Sequence, residues 1–343
     1  MKIVVSGLNN TDNPAPGYGV AKSLKEHEII GFSYDVNEPG NYLDNFKRKY
    51  LMPFPTLGFE ELKERLEYIN SEENIDLIIP CLDAELPLYI KYQDELEKLG
   101  IKTFLPTLES FELRNKNKLA KLSEKVGLSY PDTFEVNNIQ TMRDLIRKNK
   151  LTFPFMVKGN YYKAYKVHNL EEAIEYFYVI SNEWGFPILL QQMVSGEEIN
   201  LVGLGDGKGN LTGAVSIKKL TTTSLGKIWS GITIYNESLM NIAKKFVKAT
   251  NWKGPFELEC ITNKDKIYMI EINPRFPAWV YFATEVGVNL PEMLVKLVNN
   301  EKIESKLEFP IQKMYVRYTE EKIVDFSEFL NLLNKKELKG VEL

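Results

Sequence analysis

The stretch Tyr268-Met269-Ile270-Glu271-Ile272-Asn273-Pro274-Arg275-Phe276, read with Gly254-Pro255-Phe256-Glu257-Leu258-Glu259 just upstream, decides how this chain is read. Side chains alternate faces along a strand, so Glu271 and Asn273 point one way on the second stretch, and Glu257 and Glu259 share a face on the first. The polar turn Asn263-Lys264-Asp265 lets the two pair as a hairpin, which brings three carboxylates and one amide oxygen into one small region. Carboxylates that close raise each other's pKa values unless a cation neutralises them. Hard oxygen ligands with open positions suit Mg2+ or Mn2+ bridging nucleotide phosphates. Arg275, just beyond, adds a planar fork able to hold a phosphate through two hydrogen bonds. The competing reading is an exposed strand face dotted with acids. The flanking apolar residues and the second acidic strand weigh against it.

Outward from this pair, the rest of the chain sets limits. Its 343 residues suit two or three packed domains. Charged residues make up 26% of it and the formal net charge is -4, so no global positive field gathers nucleic acid or an anionic membrane. A small-molecule partner is the expectation. The only cysteines, Cys81 and Cys260, sit far apart in apolar runs and read as reduced core thiols. The N-terminal apolar run soon turns polar, and no stretch reaches the roughly 18 apolar residues of a membrane helix. A cytoplasmic protein is expected.

From residue 2 to about 105, β-branched runs (Ile3-Val5, Ile29-Tyr34, Ile75-Pro80, Ile101-Phe104) alternate with helical patterns (Gly19-Glu26, Glu60-Asn70, Leu86-Leu99). That alternation predicts a parallel sheet with crossover helices. Thr107 or Ser110 caps a helix running to Val126 and ended by Gly127. Beyond it come strand Phe155-Lys158, helix Leu170-Trp184 capped by Asn169, strand Ile188-Gln192, and the hairpin Ile199-Leu204 with Leu211-Leu220. Helix Leu239-Thr250 leads into the acidic strands, and further helices begin near Ala278 and after Pro291. This second part reads as α+β. The tail from Glu304 holds a strand-like run, Lys313-Tyr318, and an amphipathic stretch, Phe326-Leu333.

With those motifs set out, the chain resembles the ATP-grasp superfamily, particularly its carbamoyl phosphate synthetase-like and carboxylate-amine ligase members, over nearly its whole length. The resemblance implies an N-terminal Rossmann-like domain preceding the ATP-grasp domain (1-106), an N-terminal lobe and lid (107-187), a C-terminal lobe with the metal site (188-303) and an extension (304-343). It implies that Glu259, Glu271 and Asn273 hold Mg2+ (or Mn2+), with Arg275 after them on phosphate. Glu259 is preferred over Glu257 by its distance from Gly254; Glu257 stays a substrate candidate. Lys118, opening the helix that precedes Gly127, and Lys158, ending its strand, are similar to the family's two nucleotide lysines. Ile188 to Glu198 resembles the hinge that holds adenine, with Gln191, Gln192 and Val194 lining it and Glu198 accepting from the ribose. Lys219, in the segment Lys218-Lys219-Leu220 near Lys227 and Trp229, falls where related enzymes place cations by the transferred phosphate.

The family's Gly- and Ser-rich loop is replaced here by Asn160-Tyr161-Tyr162-Lys163-Ala164-Tyr165, so side chains including Lys163 are expected to close over the phosphates. Asp83 and Glu85, after the third expected strand, fall at the carboxyl end of a parallel sheet, where ligands bind, and are candidates for the acceptor. Capping and solvation are the simpler account of both. The glycines at Gly7, Gly17 and Gly19 do not make a dinucleotide fingerprint, Ser224 to Lys227 is no phosphate loop, and His27 and His168 are too distant for a zinc site. The function implied is ATP-dependent activation of a carboxylate for attack by an amine, with an amino acid or peptide as substrate and a homodimer as a compatible assembly. The alternatives are carboxyphosphate chemistry like that of biotin carboxylase, and a non-catalytic ATP-binding module.

Overall fold

The structure, a computed structural model, describes residues 1–11, 13–159, 163–224, 226–264 and 266–339, the side chains of residues 116 and 117 aside. The chain divides into two compact units, one of Met1–Phe111, Ile199–Glu259 and Ile272–Leu343, the other of Glu112–Glu198 and Cys260–Glu271.

In the first unit the β-branched runs form the expected parallel strands, Lys2–Ser6, Glu28–Ser33 and Leu77–Ile79, with Lys2–Ser6 between the other two. Alternation splits their side chains between two cores. Val4, Ile30 and Ile78 pack with Leu62, Leu66 and Tyr89, and Ile3, Val5 and Ile79 pack with Val20, Ile217 and Trp279. Gly17 opens the first helix where a Cβ would stand 2.1 Å from the carbonyl oxygen of Ser6, so only glycine lets the helix start so close to the strand end.

A further parallel strand, Arg48–Leu51, lay hidden because its alternation is spoiled by two cations. Both are accommodated: Arg48 pairs with buried Glu73 at 2.9 Å, and Lys49 is itself buried. The tail supplies the sheet's last member, Glu337–Lys339, antiparallel to Arg48–Leu51, with Leu338 buried. A bare sheet edge is thereby covered. Ile101-Phe104 makes only a single bridge, Leu77 to Lys102. The segment expected as one helix to Val126 is two, Leu108–Glu112 and Lys116–Val126, and Leu86-Leu99 breaks at Tyr92.

The second sheet runs in the order Lys266–Asn273, Lys253–Asn263, Glu197–Asp206, Leu211–Thr222, Ile228–Thr233, Met314–Val316. The expected hairpin is present, its turn closed by Asp206 accepting from the backbone of Lys208 and Asn210. Gly254 has φ +102°, and a Cβ there would lie 2.5 Å from the carbonyl oxygen of Phe104, so it fixes how the acidic strand begins.

The second unit is built on an antiparallel sheet ordered Thr133–Val136, Ile188–Gln192, Phe155–Lys158, Ala164–Val167. Phe155, Val157, Ile188 and Leu190 form its core with Phe177 and Ile180 of helix Leu170–Trp184. That helix starts as its sequence implies: the Asn169 side chain accepts from Glu172 N, and the Glu172 carboxylate accepts from His168 N. Among the described residues, no helix is long and apolar enough to cross a membrane.

Candidate functional site

The acidic strand Lys253–Asn263 carries Glu257 and Glu259, and the neighbouring strand Lys266–Asn273 ends on Asn273. The Asn273 amide nitrogen donates to Glu259 at 2.7 Å and to Glu257 at 2.9 Å. Lys219 Nζ, on strand Leu211–Thr222, lies 2.9 Å from the other Glu259 oxygen. Burial opposes ionisation of Glu259, but the Lys219 charge and hydrogen bond, with the Asn273 amide, prevail and bring its carboxyl down to about 2. Burial, and then the Glu259 charge beside it, push Glu257 the other way.

The expected convergence of three carboxylates needs correcting. Glu257 turns into the interior, where one oxygen accepts from Asn200 and from the Trp279 indole, each at 2.7 Å. It is a buried, hydrogen-bonded anchor, not an open substrate contact. Glu271 is exposed and lies just across the boundary of the two units from Ile272. Among the described residues, no three His, Cys, Asp or Glu side chains gather as a metal-binding group. The oxygen chemistry nevertheless suits a hard divalent cation. Two carboxylates share one amide donor, and Asn200 Oδ1 is buried without a hydrogen-bond partner.

Arg275 is enclosed beside this group. Its Nε donates to Asp83 at 2.8 Å, and a second nitrogen donates to Asn273 Oδ1 at 3.2 Å. Desolvation opposes its charge, but Asp83 and then Glu257 hold the guanidinium's pKa above its ordinary value. Asp83, an acceptor candidate from sequence, thus serves as the counter-ion of Arg275. Glu85 is corrected as well: it is buried and accepts from Ser6, Tyr34 and the backbone of Cys81 and Leu82, which leaves it no open face for an acceptor.

In the second unit, Lys158 ends its strand and donates to Gln191 Oε1 at 2.6 Å, while Gln191 donates to Thr133 Oγ1 at 2.9 Å. Gln192 instead ties down the backbone: its side-chain oxygen accepts from Thr152 N at 2.9 Å. Val194 follows in the loop, and Glu198 is exposed near the start of Glu197–Asp206. Lys118 makes a half-exposed ion pair with Glu112 at 2.7 Å. In the loop expected to close over phosphates, residues 160–162 lie outside the described residues, and Lys163 pairs with Glu183.

Sequence reasoning missed three contributors. Trp279 and Asn200 grip Glu257 from a helix approach and from the neighbouring strand Glu197–Asp206, and neither has a local motif. Tyr130 lies beside Thr133 and Gln191, its pKa raised chiefly by burial; the turn residues around it gave no sign of this.

Comparison with known proteins bears on what such a group serves. Residues 186–322 match the family described as ATP-grasp in the biosynthetic pathway with Ter operon. Over 123 residues the chain is 31% identical to the tyramine–L-glutamate ligase of Methanocaldococcus jannaschii, a match covering 35% of this chain and 39% of that protein, less than half the relative's length. The biotin carboxylase domain of the Hydrogenobacter thermophilus 2-oxoglutarate carboxylase, solved with MgADP, ADP and bicarbonate, matches with a TM-score of 0.68 at 15% identity, over 91% of this chain and 73% of that one. An L-amino acid ligase from Bacillus licheniformis matches with a TM-score of 0.63 at 18% identity, over 87% of this chain and 74% of that one. The chain has the ATP-grasp fold, and residues 186–322 are similar to the family's model.

Proposed function

We propose that this ATP-grasp chain is an ATP- and Mg2+-dependent ligase that activates a carboxylate as an acyl phosphate for attack by an amine, forming an amide or peptide bond and releasing ADP and phosphate. The observation that carries the reading is the cluster in which Lys219 and Asn273 together hold Glu259, with Arg275 bonded to the same Asn273. It joins cations suited to phosphate with hard oxygens suited to a metal. The ligase relatives support the reading.

The residues divide the work. Lys118 and Lys158 neutralise the triphosphate, Gln191, Gln192 and Val194 border the adenine, and Glu198 accepts from the ribose. Glu259, Glu271 and Asn273 hold Mg2+, which when bound supplies charge neutralisation at the phosphate oxygens. Lys219 and Arg275 stabilise the charge that develops as a carboxylate oxygen bonds to the γ-phosphorus and the bond from that phosphorus to ADP breaks. The neutral amine then attacks the acyl carbon, the bond to phosphate breaks, and the amine's proton leaves to solvent. Alignment and neutralisation carry such a reaction, so no covalent nucleophile is required. The two buried cysteines, Cys81 and Cys260, accord with a reducing, cytoplasmic setting.

The test is a screen for ADP release across amino acids, dipeptides, small acids and bicarbonate, each with an amine pool, with mass spectrometry of the products. A condensed product formed with stoichiometric ADP is expected. ADP release with bicarbonate alone, or with no acid at all, would overturn the assignment.

A further inference from the structure

Beside the acidic group, within the first unit, lies a cavity of about 1070 Å³ for which no occupant has yet been given. The first loop and helix, the helix Val280–Glu285 and the tail around strand Met314–Val316 wall it, with Trp229 of strand Ile228–Thr233 and Leu43. Two properties define what it can take. Its walls are rich in rings: Tyr18, Trp229, Trp279, Tyr281 and Phe282 all line it, and Phe282 packs on Tyr315 with ring centroids 4.9 Å apart. Trp279 is shared with the acidic group through its bond to Glu257, so the cavity adjoins the Lys219 and Glu259 cluster.

The second property is a charge without a counter-charge. Arg317 lines the cavity; its side chain donates to the carbonyl of Ala278 and lies beside the phenol of Tyr315. Its Nε is buried without a partner, as is the hydroxyl of Tyr315, and it makes no ion pair among the described residues. The other cations at the wall are differently placed: Lys22 sits 3.9 Å from the centre of the Tyr281 ring beside Glu285, Lys322 pairs with Asp44, and Lys313, like the wall carboxylates Glu320 and Glu321, is exposed on the tail. A half-buried guanidinium with a carbonyl and a phenol but no carboxylate to answer it is costly unless an anion joins it. A carboxylate matches its fork.

We infer that this cavity is the carboxylate pocket, and that it takes a carboxylate borne on an aromatic body, with Arg317 as its counter-ion and the rings of Trp229, Trp279 and Tyr281 around its flat part. This rests on the carboxylate-activating reading above and specifies its substrate class. The tail from Glu304, which reaches the cavity through residues 313–323, is then the specificity wall of the site.

Three probes that separate the ring from the carboxylate test it by calorimetry on the full chain, with and without Mg2+ and a non-hydrolysable ATP analogue: phenylacetate, phenethylamine and acetate. Phenylacetate is expected to bind at least about tenfold more tightly than either of the others. Arg317→Met should weaken phenylacetate about tenfold or more while leaving the ATP analogue's affinity unchanged, and Arg317→Lys should recover part of the loss. Trp229→Ala, at a half-exposed position, should narrow the preference for phenylacetate over acetate. Tighter binding of phenethylamine, equal binding of acetate, or no binding of phenylacetate in either condition overturns the inference. The two readings fail separately. ADP release with aliphatic acids only keeps the ligase and removes the aromatic pocket, and phenylacetate binding without ADP release under any amine keeps the pocket and removes the ligase.

Discussion

Lys219 Nζ stands 2.9 Å from Glu259 Oε2, across two strands of one sheet, and the two side chains hold each other charged in a largely enclosed place. Removing the cation in Lys219→Met should lower kcat about 100-fold, the scale of losing one stabilising group at a developing charge. Lys219→Arg should restore part of it. The same pair predicts a pH effect in the metal-free protein. Glu259 has its carboxyl depressed from 4.5 to about 2, so its contribution to stability is present above about 4.5 and is lost as pH falls toward about 2. Acid unfolding followed by circular dichroism should therefore begin at higher pH in Lys219→Met.

Lys118 and Glu112 form a pair exposed by nearly half on each side. Lys118→Ala should change unfolding free energy by less than about 1 kcal/mol, as expected of a surface ion pair. Its ATP affinity should nonetheless fall about tenfold, since a phosphate contact is charge-assisted. Urea unfolding and nucleotide titration on the same variant separate the two effects, and unchanged affinity would remove Lys118 from the site.

Lys158→Ala and Glu271→Ala should each abolish turnover while the chain stays folded, as read by ADP release and circular dichroism. Activity kept in both would remove the proposed mechanism.

Arg275 and Asp83 are enclosed, at 13% and 23% side-chain exposure, and joined at 2.8 Å. Asp83→Asn leaves the guanidinium without its counter-ion and should cost about 3 kcal/mol of stability, measured by urea unfolding. That loss, against the small one at Lys118, tests whether Asp83 is structural.

Leu338 joins the tail to the N-terminal sheet and is buried there. Leu338→Ala should destabilise by about 2–3 kcal/mol, and hydrogen exchange should quicken at Lys49 and Leu51, whose amides face the tail strand.

The parts of this molecule that could be read from sequence are those whose signal is local. β-branched runs such as Ile3-Val5 and Ile29-Tyr34, the cap at Asn169, and the acidic strands ending in Asn273-Pro274-Arg275 each carry their period or pattern within a few residues. What escaped depends on distant partners. Arg48–Leu51 is a strand because Glu73 neutralises Arg48. Glu257 is turned inward by Trp279 and Asn200, and Asp83 is drawn to Arg275 across a long stretch of chain. Arg317 could not be singled out at all, since its lack of a counter-ion is visible only once the tail is folded against Ala278.

The central claim is that a carboxylate oxygen becomes bonded to the γ-phosphorus of ATP. Its most direct test supplies the accepted acid labelled with 18O in its carboxylate, together with ATP, Mg2+ and the amine, and measures the label in the phosphate released. The mechanism predicts one 18O transferred to phosphate for each amide formed. Phosphate free of label, alongside continued ADP release, would contradict it.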